Sequence, residues 1–229
     1  MNRIFKVIWN QARNCYVAVS EMASSKSSTN LKPNKIQTAV MSALAAMSLS
    51  QTAIAADPID DANVDNAAGT TITGTGYGVK LDAGGPYTGA NSGEINSTAG
   101  TLSYGIDINS VTTTSINNTS TGVIKADATS GGRGSGINAE NGSIGTLINA
   151  GLISGSAAIT FGRGIYLKTN NIETLTNSGT ITGSAGGSDG YGLFASKSTI
   201  TTLTNTGTIS GSAGKSHGYG IYVYSTSSV

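Results

Sequence analysis

The sequence predicts an all-β protein, a parallel β-helix solenoid of about six coils of ~28 residues, and three observations lead there. Ile144, Ile172 and Ile200 open three tandem copies that superimpose by eye, "IGTLINAGLISGSAAITFGRGIYLKTNN", "IETLTNSGTITGSAGGSDGYGLFASKST" and "ITTLTNTGTISGSAGKSHGYGIYVYSTSS". A unit this short cannot bury its own apolar face, so copies must stack on one another. Within each copy, apolar residues recur at period two in short runs rich in Thr, Ile, Val and Tyr, separated by Gly, Ser and Asn, which is strand and turn chemistry. Three such runs fit in one repeat, as in "TLTNSG", "TITGSA" and "GYGLFAS", giving three strands per coil.

Laying the copies over one another separates inside from outside. The column Ile116, Leu147, Leu175, Leu203 is always aliphatic, as is Ile95, Ile124, Ile153, Ile181, Ile209. A third column runs Val79, Ile106, Ile137, Ile165, Leu193, Ile221, and two residues on lie Leu81, Ile108, Ala139, Leu167, Ala195 and Val223. These columns are expected to point inward. The position between the last two runs Lys80, Asp107, Asn138, Tyr166, Phe194, Tyr222; because it tolerates charge, it is expected to face water. Asn118, Asn149, Asn177 and Asn205 form one more column, each closely followed by a glycine. Its expected role is corner chemistry: left-handed backbone at the turn and a carboxamide ladder along the axis.

The elements follow in order. Residues 1–56 form a leader, with a first word over 1–25 and an apolar stretch and cleavage site over 36–56; residues 57–63 read as a linker and 64–229 as the repeats. The leader holds six Lys and Arg against one acid, while the remainder holds seven bases against eleven acids. After Lys35 comes the apolar run "IQTAVMSALAAMSLS", too short for a permanent membrane span. It ends in an A-x-A signal at Ala53 and Ala55, so cutting is expected after Ala55 or Ala56. A helical or disordered signal peptide is expected ahead of the solenoid.

The leader's opening words are specific. Asn2, Arg3, Ile4, Phe5, Val7, Ile8, Trp9 and Asn10, then Val17, Ala18, Val19, Ser20 and Glu21, closely resemble the extended signal peptide region of type V secretion proteins. The resemblance implies a Gram-negative protein exported through the Sec translocon and an outer-membrane translocator to the cell surface, outer membrane or medium, as an autotransporter passenger or the secreted half of a two-partner system. It also implies a right-handed coil and a translocator barrel after the passenger. Because the sequence stops in mid-repeat at "YSTSSV", a truncated passenger is expected, with a last coil prone to fraying or self-association.

Chemistry is sparse in the repeats. They contain no cysteine, so no disulfide hinders passage through a pore, and Pro58 and Pro86 precede the regular coils. No basic cluster suits nucleic acid. "GKS" at Gly214–Ser216 lacks the earlier glycine of a phosphate loop, Ile209 standing in its place. "GGRGSGI" at Gly131–Ile137 has Gly136 where a calcium-binding repeat carries aspartate. His217 is the sole histidine and has no cysteine nearby. Asp107, Asp127, Glu140, Glu173 and Asp189 occupy different repeat positions, so no carboxylate pair for sugar cleavage is expected in one column. Asp57, Asp60, Asp61 and Asp65 read as solvating charge in a flexible segment.

No catalytic, metal or cofactor residue is therefore expected, and no enzyme. The outward feature left is a candidate binding stripe, Tyr166, Phe194 and Tyr222, with Tyr191 and Tyr219 nearby, fit for a host glycan or protein. The expected function is an adhesin-like passenger. A structural stem for a missing head is the alternative, and a secreted polysaccharide-active enzyme a third.

Overall fold

The computed structural model describes residues 5–10, 15–20 and 59–229, and the chain divides into two compact units, Met1–Leu49 and Ser50–Val229. In the first unit, β1 (Phe5–Asn10) and β2 (Cys15–Ser20) pair antiparallel, with Phe5 opposite Ser20 and Asn10 opposite Cys15. This departs from the helix or disorder expected there. Both segments alternate β-branched and aromatic residues, "FKVIWN" and "CYVAVS", which favours strands. Asn2, Arg3, Ile4, Glu21, the apolar run and the cleavage residues Ala53, Ala55 and Ala56 lie outside the described residues.

The second unit is the expected solenoid. Its strands fall into three parallel sheets, each taking one strand from every coil. The first holds β4 (Val64–Asn66), β7 (Tyr87–Asn91), β10 (Thr112–Asn118), β13 (Ser143–Asn149), β16 (Asn171–Asn177) and β19 (Thr199–Asn205). The second holds β5 (Thr71–Gly74), β8 (Glu94–Ala99), β11 (Val123–Ala128), β14 (Leu152–Ala157), β17 (Thr180–Ala185) and β20 (Thr208–Ala213). The third holds β3 (Ile59–Asp60), β6 (Tyr77–Leu81), β9 (Leu102–Asn109), β12 (Arg133–Glu140), β15 (Gly162–Lys168), β18 (Gly190–Ser196) and β21 (Gly218–Tyr224). Among the described residues there is no helix long and apolar enough to cross a membrane.

The ladder registers reproduce the sequence columns. Leu147 pairs with Leu175 and Leu175 with Leu203; Ile153 pairs with Ile181; Ile165 pairs with Leu193 and Leu193 with Ile221. Ile153, Ile165, Leu175, Ile181 and Leu193 are fully buried and belong to one continuous apolar core. Stacking buries a continuous interior that no single coil could form. The aliphatic column of the first sheet breaks at Gly89, where Ile116 looks for a partner one coil earlier. Val64 fills that space: a Cβ on Gly89 would lie 2.8 Å from its Cβ.

The recurrent Gly-x-Gly-aliphatic motif has a steric cause. At Gly164, the second glycine of one copy, a side chain would meet Gly192 O and Ile181 Cγ2, each at 2.6 Å, so the strand passes there with no room for a side chain. The residue between the two glycines points outward and the aliphatic one inward, which sets up the outer face described below.

Two corners differ from expectation. The asparagine column does form a ladder, but it lies at strand ends, where none of its members has positive φ. Left-handed backbone instead recurs after the strands of the third sheet, at Asp61, Ser110, Asn141, Thr169, Lys197 and Ser225, with φ between 48° and 61°. The ladder also starts earlier than the sequence column. Nδ2 of Asn66 donates to Oδ1 of Asn91 (2.7 Å), Asn91 to Asn118 (2.8 Å), Asn118 to Asn149 (2.8 Å), Asn149 to Asn177 (2.7 Å) and Asn177 to Asn205 (2.7 Å).

Of the stretch read as a linker, residues 59–63 belong to the first winding. Ile59 pairs with Val79, and Asp61 Oδ1 accepts the backbone N–H groups of Asp82 and Ala83 and the hydroxyl of Tyr87. Asp61 is thus a corner fastener rather than loose charge.

Candidate functional site

The outer side of the third sheet carries two parallel columns, because both the residue between the motif glycines and the residue after the aliphatic position point away from the core. The first column reads Tyr77, Tyr104, Ser135, Arg163, Tyr191, Tyr219 in register. The second reads Lys80, Asp107, Asn138, Tyr166, Phe194, Tyr222. Over the last three coils they merge into one aromatic surface. Tyr191 and Tyr219 stack at 5.4 Å and 11°, Phe194 and Tyr222 at 5.4 Å and 20°, and Tyr191 meets Phe194 edge-on at 4.9 Å. Tyr166 lies 5.5 Å from Phe194, and Phe161 lies 6.3 Å from Tyr191.

This packing corrects the expectation that Tyr166, Phe194 and Tyr222 face water freely. They stand on the outside, but Tyr166 is only 8% exposed, and Phe194 and Tyr222 are half-buried. Each ring is covered by its neighbours one coil away, as rings of this size at one strand spacing must be. Higher up the column, Asn138 is also buried and donates to Asp107 Oδ1 at 2.8 Å; desolvation nevertheless raises the Asp107 carboxyl above its usual range.

At the upper end of the aromatic surface sits Arg163, whose guanidinium carbon lies 4.3 Å from the Tyr166 ring centroid, 5.0 Å from Phe161 and 5.3 Å from Phe194. The residue is 6% exposed, and burial pulls its pKa down to about 10. Rings supply the attraction that water would otherwise provide. Sequence reading passed over Arg163, although a legible signal existed: it occupies the slot held by Tyr191 and Tyr219 in the next two copies.

The remaining polar clusters fasten turns. Asp189 Oδ1 accepts Ser216 Oγ at 2.5 Å and the His217 N–H at 3.0 Å, while Oδ2 accepts the Tyr191 hydroxyl at 2.9 Å. These bonds hold the Asp189 carboxyl down at about 2, Ser216 being the largest cause. The trio is not wired as a triad. Ser216 Oγ and Asp189 Oδ1 both approach His217 Nδ1, at 3.2 and 3.5 Å, whereas a relay needs opposite ring nitrogens. The Asp189 contribution to stability should be complete above about pH 4, the ordinary carboxylate range. It should fall away as pH drops toward 2. Denaturation midpoints of Asp189→Asn and the parent chain are therefore expected to differ at neutral pH and to converge in that acid window.

Asp60, Asp61 and Asp82 bring carboxylate oxygens within 4.8 Å of one another, but all three residues are exposed and Lys80 pairs with Asp82. Backbone donors hold Asp61 below the usual carboxylate range, opposite to what a general acid needs. Elsewhere Glu140 pairs with Lys168 at 3.2 Å and Asp127 with Lys125 at 2.8 Å. A trough of about 500 Å³ on the first sheet is lined by Thr112, Thr114, Thr146, Asn171, Glu173 and Thr201 among others, and Glu173 is its single carboxylate.

Fold and outer face together define a parallel β-solenoid: a stack of equivalent coils with an aromatic strip along one side. Its route is given by the leader, since residues 1–51 match the family model described as the Extended Signal Peptide of Type V secretion system. The chain thus carries the signal for type V export, across the inner membrane by Sec and through an outer-membrane translocator, to the cell surface or the extracellular space. No solved structure matches the chain.

Proposed function

We propose that the chain is a non-enzymatic, adhesin-like passenger whose aromatic outer face makes the contact. The observation that carries this reading is the continuity of six rings, Phe161, Tyr166, Tyr191, Phe194, Tyr219 and Tyr222, along successive coils of an exported solenoid. Aromatic faces pack on sugar rings and on apolar protein side chains, and repetition along a rod gives many weak contacts acting together. The absence of an enzymatic role rests on the arrangement of the polar groups. Asp127 and Glu140 serve ion pairs, Asp61 and Asp189 fasten turns, and the single histidine presents one nitrogen to both of its neighbours.

Purified chain carrying Phe194→Ser and Tyr222→Ser is expected to lose most binding to cell surfaces per folded molecule, with folding followed in parallel by circular dichroism. Lost stability with undiminished binding per folded molecule would instead assign the rings to the stem role, a rod that holds a separate head away from the membrane.

A further inference from the structure

We infer that Arg163 is the charge-reading group of the aromatic face and that its ligand is a carboxylate-bearing sugar, a uronic or sialic acid residue, an inference that rests on the adhesin reading. Arg163 replaces a tyrosine in the outer column, at the boundary where rings give way to Ser135 and Asn138. Among the described residues, no carboxylate lies within ion-pair distance of it, whereas Lys80, Lys125 and Lys168 each have one. Nor does any described residue accept a hydrogen bond from it, and of its three side-chain nitrogens only Nε is both shielded from solvent and unpartnered. The two terminal nitrogens, likewise without a partner among the described residues, are not shielded in this way.

A second polar group waits beside it. Ser135, in the same column one coil earlier, is fully buried, and its Oγ has no partner. Arg133, two residues before Ser135, adds positive potential and disfavours the charged form of Arg163. A buried cation with no anion, flanked by an orphaned hydroxyl and a second arginine, is complementary to a single negative charge.

The geometry around that charge selects the ligand. A planar guanidinium edge matches a carboxylate in two parallel hydrogen bonds. The half-buried rings of Phe161 and Phe194, 5.0 and 5.3 Å from the guanidinium, offer flat faces at the distance where the rest of a sugar ring would lie. A phosphate ligand carries more charge than one guanidinium neutralises, and the repeats are net acidic.

The test is calorimetric titration of the full 229-residue chain with a galacturonic acid trisaccharide and its methyl ester, and with sialyllactose and lactose. At least one acid is expected to bind about tenfold or more tightly than its neutral counterpart, with affinity falling as salt rises. Which acid does so identifies uronate or sialoside. Arg163→Met should reduce that acid to the level of the neutral sugar, while Arg163→Lys retains part of the preference. Should Arg163→Met fail to fold, the acid-against-neutral comparison on the parent chain decides alone. Equal binding of acid and neutral sugars, or no binding of either acid, overturns the inference. The adhesin reading then stands or falls separately, on the cell binding of the Phe194 and Tyr222 variants.

Discussion

Leu193→Ala is expected to destabilise the solenoid by about 2–5 kcal/mol, the range for emptying a close-packed aliphatic site. Leu193 is fully buried in the third-sheet column, with Ile165 and Ile221 as its ladder partners in the adjoining coils. The strands lie in ladders with both neighbours, so the cavity cannot collapse without breaking register. The same deletion at Ile221, one coil on in the same column, should cost under about 1 kcal/mol, because that side chain is 41% exposed. Urea unfolding followed by circular dichroism measures the difference between the two. Hydrogen exchange should show protection lost around Leu193 in both neighbouring coils, as nearest-neighbour coupling in a repeat stack requires.

Asn149→Asp is the second large effect. Asn149 Nδ2 donates to Asn177 Oδ1 at 2.7 Å, to Thr180 O at 3.1 Å and to Gly151 O at 3.3 Å, while its Oδ1 accepts from Asn118 at 2.8 Å. The residue is fully buried. An ionised carboxylate there keeps the acceptor role, removes every donation and places a charge against three oxygens. The expected cost at neutral pH is about 3–5 kcal/mol. Burial and the surrounding acceptors raise the folded-state pKa of such an aspartate above its unfolded value. The penalty should therefore shrink as pH falls toward the ordinary carboxylate range, where the protonated acid regains one donor. Melting curves at neutral and mildly acid pH check the sign: a variant that loses stability on acidification relative to the parent contradicts this role for the ladder.

Legibility followed regularity. Where copies repeat at 28 residues, comparing them within one chain located four inward columns and the lower asparagine ladder, because equivalent positions meet the same neighbours; the buried column Ile144, Ile172, Ile200 was read only as the start of each copy. Asn66 and Asn91 escaped because their rungs span 25 and 27 residues and the next spans 31, so a fixed period walks off them. Asp61 escaped because its role depends on backbone donors twenty-one and twenty-two residues away, which composition does not reveal. The outward face was legible as alternation, but its burial was not: alternation tells which side a ring is on, and only the coil spacing tells how far neighbouring rings cover it. Arg163 was hidden by residue type, since a lone cation in a tyrosine slot reads as surface charge until the rings around it are placed.

The whole arrangement, from the core columns to the line formed by Arg163, Tyr191 and Tyr219, depends on one winding being one repeat. Ser210 Oγ donates to Thr182 Oγ1 at 3.3 Å across adjacent coils of the second sheet, with the two residues paired in register. In a Cys15→Ser background, Thr182→Cys with Ser210→Cys should form a disulfide readily on mild oxidation, as adjacent paired strands bring the Cα atoms into bonding range. Thr182→Cys with Thr202→Cys, closer in sequence but on a different sheet, should stay reduced. Failure of the first pair to close, or equal closure of the second, would contradict the stacked-coil structure and the binding face built on it.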